Sequence, residues 1–138
     1  MLTLATRKKR ATTPAKIGIL ENDLNWSQQV VDYLGKEFDV NFLNFNDIFL
    51  NQIDISEYSS ILVYYAIKYP SIDISGTLDL ITIIKNFSKN PPAVILTTDF
   101  ADGQILAEAH TYLAQIDSVF AKDQDLALLL KMIKILLK

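Results

Sequence analysis

Cysteine is absent from this chain, and histidine and tryptophan occur once each, as His110 and Trp26. Without cysteine there is neither a disulfide nor a thiolate metal site. A single histidine excludes a multi-histidine metal centre as well. Glycine is scarce: four residues in 138, none of them grouped into a phosphate-cradling loop. No apolar run reaches the roughly 18 residues that a membrane-spanning helix needs. The basic start has no apolar stretch behind it, so it does not read as a secretory signal. These absences predict a cytoplasmic protein without a thiolate or multi-histidine metal centre and without a bound cofactor.

What remains is an ordinary globular balance, half hydrophobic and about a fifth charged. The length predicts one domain with a core that needs no staples. Charge is unevenly placed. Arg7, Lys8, Lys9, Arg10 and Lys16 precede every acidic residue. Residues 1–15 therefore read as a flexible basic tail or linker, which can touch phosphates or stay solvated. Residues 16–138 read as the folded part, more acidic than the whole-chain net charge of −3. Such a body repels nucleic acid.

Along that part, short apolar runs alternate with helical patterns. "KIGIL" (16–20) reads as a buried strand. "NWSQQVVDYLGKEF" follows with Trp26, Val30, Val31 and Leu34 at helical spacing. "DVNFLNF" (39–45) reads as a second strand, and "NDIFLNQI" as a short helix that Asn46 or Asp47 can cap. "ILVYYAIKYP" (61–70) supplies a third strand. "SGTLDLITIIKNFSKN" sets Leu78, Ile81, Ile84 and Phe87 on one helical face. "PAVILTT" is a fourth strand behind a Pro-Pro breaker. "DGQILAEAHTYLAQI" is a helix with Ile105, Leu106, Ala109 and Leu113 inward. "DSVFA" is a fifth strand, and "DQDLALLLKMIKILLK" the last helix. Strands apolar on both faces and separated by helices predict a parallel sheet covered on both sides. Right-handed crossovers then favour a flavodoxin-like (βα)5 three-layer sandwich with sheet order 2-1-3-4-5.

Function in such folds gathers at the carboxyl ends of the strands. Glu21, Asn22 and Asp23 follow the first strand. Ala66 follows the third, Thr97 and Thr98 end the fourth, and Lys122 ends the fifth. By order and spacing this layout resembles the receiver domain of bacterial response regulators, over Lys16 to about Leu137. The resemblance implies an acidic pair for magnesium at Glu21 and Asn22, with Asp23 beside them. It implies a phosphoacceptor at Ala66, with Pro70 four residues on. The phosphoryl-binding hydroxyl and lysine match Thr97 and Lys122, and the switch aromatic matches Val119.

The departures outweigh the matches. A phosphoacceptor needs a carboxylate oxygen, and Ala66 has none. Asn22 and Ala66 in place of acids remove ligands that magnesium needs. Val119 is not aromatic, and Asp123 stands where a proline usually follows the lysine. The implied protein is a pseudo-receiver with a degenerate pocket: no enzyme, and a signalling domain independent of phosphorylation. It would work by protein contact in a two-component-type or transcriptional regulatory system.

Other readings stand beside this one. Lys122 can form a structural ion pair with Glu21 or Asp23. Thr97 and Thr98 suit a strand in any protein. Tyr64 and Tyr65 read as strand packing, and His110 as mid-helix. Trp26 either packs over the pocket or anchors a surface. In the last helix Leu126, Leu129, Leu130, Ile133 and Leu137 can face the sheet. Leu128, Met132, Ile135 and Leu136 are then left at the sides, more apolar than a monomer's surface helix should be. They predict a homodimer or protein-partner contact, against a helix that is simply well buried or that continues further. A flavodoxin-like cofactor carrier is the alternative, opposed by the acidic, glycine-free "ENDLNW" loop. The regulatory half of a DNA-binding transcription factor is another.

Overall fold

The computed structural model describes residues 14–21, 23–49, 54–64, 81–86, 90–99 and 116–137. Five parallel strands form one sheet: β1 (Lys16–Leu20), β2 (Asp39–Phe42), β3 (Tyr58–Tyr64), β4 (Ala93–Thr98) and β5 (Ser118–Ala121). Their order is β2-β1-β3-β4-β5, the flavodoxin-like order expected from the alternation of strands and helices. The described helices are α1 (Leu24–Leu34), α2 (Phe45–Phe49), α3 (residues 81–86) and α4 (Leu126–Leu136).

The sheet divides the core in two, because successive side chains of a strand point to opposite faces. One layer joins Ile17 and Ile19 of β1 and Leu62, Ile95 and Phe120 of the next strands to Trp26, Val30 and Leu34 of α1 and Leu129 and Ile133 of α4. The other joins Leu20, Ile61, Val63, Val94 and Leu96 to Ile48 of α2 and Ile81 and Ile84 of α3. The central strands are buried on both faces, which is why they read as unbroken apolar runs.

Asx side chains start the helical segments. Asp23 Oδ1 accepts from the Trp26 amide to cap α1 at 3.1 Å, and Asp125 accepts from Ala127 to cap α4 at 2.9 Å. Asp54 accepts from Ser56 at the 3-10 turn Ile55–Glu57. Each such cap satisfies an amide that the helix itself leaves unbonded, worth about 1 kcal/mol.

Four details differ from the sequence reading. The second strand ends at Phe42, and Phe45 opens α2 instead. Asn44, rather than Asn46 or Asp47, meets the α2 amides, its Oδ1 accepting from Asn46 at 2.8 Å. β3 starts at Tyr58, three residues early: Tyr58 and Ser60 pair with Lys16 and Ile17 of β1, and the buried Ser60 hydroxyl donates to the Ala93 carbonyl at 2.9 Å. In α4, Met132 and Leu136 lie partly buried against the α1/α4 layer, while Leu128 and Ile135 stay outside at 39% and 64% exposure. The helix expected around His110, together with Leu78 and Phe87, lies outside the described residues. Among the described residues no helix is long and apolar enough to cross a membrane.

Candidate functional site

Alternation along the strands assembles a polar layer at the carboxyl edge. Glu21, Tyr64, Thr97 and Lys122 each stand two residues beyond an apolar member of the α1/α4 layer: Ile19, Leu62, Ile95 and Phe120. They therefore share a face of the sheet. Register brings Tyr64 beside Thr97 and Thr97 beside Phe120.

Lys122 is the centre of the site. Its Nζ lies 2.9 Å from Glu21 Oε1 and 4.0 Å from Asp99 Oδ1. The same ammonium stands 4.1 Å from the ring centroid of Tyr64 and 5.1 Å from that of Trp26. Both distances fall within the range over which an aromatic face attracts a cation. The Tyr64 hydroxyl donates to Asp99 Oδ2 at 2.7 Å. The Glu21 side chain is 2% exposed and that of Lys122 10%. Two opposite charges withdrawn from water hold each other, and two aromatic faces flank the ammonium.

Each wall of the site has its own support. The Asp23 amide donates to Glu21 Oε1 at 3.0 Å. Trp26 stacks on Phe120 with centroids 6.5 Å apart. The Lys122 amide donates to the Thr98 carbonyl at 2.7 Å, fixing the turn that follows β5. Glu21 Oε2 and Thr97 Oγ1 are buried without a hydrogen-bond partner among the described residues.

Of the residues read from the sequence, the structure brings Glu21, Thr97 and Lys122 to this edge. Asp23 serves at the start of α1 as its cap, exposed to solvent. Val119 lies on the opposite face, packed against the α2/α3 layer. Asn22 and Ala66 lie outside the described residues. Trp26 is buried over the lysine rather than displayed as a surface anchor. Tyr64 and Asp99 were missed. Both were within reach of the alternation rule: Tyr64 follows Leu62 on the same face, and Asp99 directly follows the strand end at Thr98. Among the described residues no group of three or more acidic or histidine side chains is placed to hold a metal ion.

No family model matches the chain, and no curated protein matches it. Solved structures do. The BeF3-activated DrrB receiver domain superposes with a TM-score of 0.65 at 20% identity, over 90% of this chain and 97% of that one. A response regulator from Thermotoga maritima gives 0.65 at 16%, over 90% and 98%. The pseudo-receiver domain of the CikA protein gives 0.54 at 21%, over 91% and 98%. At these identities the likeness establishes the fold: the flavodoxin-like α/β architecture of receiver domains, in both ordinary and pseudo-receiver forms.

Proposed function

We propose that the chain is a pseudo-receiver: a signalling domain, not an enzyme, that works without phosphorylation through protein contact in a two-component-type or transcriptional regulatory system. The observation that carries this reading is the buried Lys122–Glu21 pair at the carboxyl edge. A lysine engaged by a carboxylate of its own chain needs no phosphoryl oxygen to hold it. The sequence adds that Ala66 has no oxygen to accept a phosphoryl group. Glu21 is already engaged through Oε1 by Lys122 and the Asp23 amide, which fixes the orientation of its carboxylate. In-line transfer depends on tight placement of the nucleophile. Incubation with acetyl phosphate and magnesium, followed by intact-mass spectrometry, is expected to return an unmodified chain. A stoichiometric phosphoryl adduct refutes the proposal.

The contact surface proposed is the outer side of α4. Leu128 and Ile135 are exposed there, with Met132 and Leu136 at the margin of the buried layer. Exposed apolar area of this kind marks a site of association. Self-association should appear in sedimentation velocity at raised concentration and be lost in Ile135→Glu. A wild-type chain that sediments as a monomer at every concentration rules out the homodimer.

A further inference from the structure

The carboxyl edge has more capacity for a cation than its lysine uses. Lys122 Nζ bonds one oxygen of Glu21, stands 4.0 Å from Asp99, and faces the rings of Tyr64 and Trp26. The second Glu21 oxygen and the Thr97 hydroxyl, both buried, have no hydrogen-bond partner among the described residues. An ammonium carries three donors, and a buried carboxylate oxygen left without a partner is unfavourable. Two carboxylates and two aromatic faces around one point form the arrangement that recognises an organic cation.

We infer that the carboxyl edge is a cage for a primary ammonium, occupied by the chain's own Lys122 and latched by Tyr64. Tyr64 serves the latch twice. Its ring faces the ammonium, and its hydroxyl holds Asp99 on the cation's second side. The other walls are preset without reference to the lysine. The Asp23 amide fixes Glu21, and stacking on Phe120 fixes Trp26. A preset cage keeps its shape when the occupant leaves. An untethered alkylammonium, free to turn, can reach the Glu21 oxygen that Lys122 leaves unbonded. The resident lysine therefore acts as an intramolecular competitor: a soluble primary amine enters only as Lys122 withdraws. This inference is independent of the signalling reading, since the cage is present whatever the domain's output.

The test uses the full chain and n-butylammonium, which matches the four-carbon stem of lysine. In Lys122→Ala, n-butylammonium chloride should raise the melting temperature by several degrees over sodium chloride of equal strength. It should also return the Trp26 emission towards that of the wild type, because Trp26 is the only tryptophan and borders the cage. The wild type, already filled, should respond equally to the two salts. Equal responses of Lys122→Ala to both salts overturn the inference. Should that variant fail to fold, competitive acylation of the wild-type amines decides. Lys122 should react at least about tenfold more slowly than the exposed Lys131, and Tyr64→Leu should close most of that gap. Equal rates for Lys122 and Lys131 in the wild type overturn it as well.

Discussion

Strand β3 begins at one tyrosine and ends at another, and each lies beneath a lysine that pairs with a glutamate. At the amino end, Lys16 Nζ is 3.1 Å from Glu57 Oε2 and 5.8 Å from the centroid of Tyr58. At the carboxyl end, Lys122 Nζ is 2.9 Å from Glu21 Oε1 and 4.1 Å from the centroid of Tyr64. The ingredients are the same; their exposure to water is not. The amino-end side chains are 39% and 55% exposed, the carboxyl-end ones 10% and 2%. An exposed pair trades one set of water contacts for another and gains little. A withdrawn pair commits each partner to the other, because either charge left alone in that place is costly. Burial, more than distance, separates a surface decoration from a site.

The sharpest way to break this comparison is to neutralise the lysine at each end. Lys122→Met leaves the Glu21 carboxylate buried alone, with an expected loss of about 3–5 kcal/mol in urea denaturation. Glu21→Gln combined with Lys122→Met should recover most of that loss. Lys16→Met should leave the denaturation midpoint close to that of the wild type. Similar losses at the two ends would remove the distinction.

A change between the ends asks whether one sheet supports both. Gly18 lies in β1 midway from Lys16 to Leu20, and a Cβ there would collide with Leu43 Cδ1 and come within 3.0 Å of its Cγ. Gly18→Val should therefore cost about 1–3 kcal/mol through overpacking. Urea denaturation followed by Trp26 emission and by far-ultraviolet circular dichroism should give coincident transitions. Separate transitions would mean that the carboxyl edge melts as its own unit.

Smaller effects sharpen the contrast between the tyrosines. Tyr64→Phe deletes the hydrogen bond to Asp99 and should cost about 1 kcal/mol. Tyr58→Phe should stay within about 0.5 kcal/mol of the wild type. The reverse ranking would contradict the latch assigned to Tyr64.

The smallest effect is in alkali. The hydrogen bond to Glu57, and then the charge of that carboxylate, hold Lys16 above its ordinary 10.5. Burial raises Tyr58 above its ordinary 10.0, against the opposing charge of Lys16. Both groups therefore keep their protons more tightly when folded. Their contribution to stability is complete below about pH 10 and declines as pH rises through the raised values. Glu57→Gln should make that decline shallower in pH-dependent thermal melts. An unchanged slope would show that Glu57 does not set it.

The order of the sheet was legible from the alternation of apolar runs and helical spacing. So was the edge on which Glu21, Thr97 and Lys122 gather, because topology alone places strand ends together. The polar contributions were harder to see. Ser60 lies buried in β3 with its hydroxyl bonded across the sheet, and such a partner is invisible in a single strand's pattern. Asn44 was passed over as a cap because the chain around it read as strand. Tyr64 was taken as packing: propensity counts its ring as apolar and is silent about where its hydroxyl ends. In α4 a helical projection separated inner from outer leucines but assumed too narrow a buried stripe. The partial cover of Met132 and Leu136 comes from the width of the layer that α1 and α4 share.

The sheet is also a partition. Residues such as Ile84 on one side and Leu129 on the other belong to separate apolar clusters with no common member among the described residues. Substitutions on the helices of the two clusters, such as Ile84→Val and Leu129→Val, should combine additively, since the two side chains share no cluster and the sheet stands between them. The domain can thus be retuned one side at a time: loosening the helices on one side need not disturb the packing on the other.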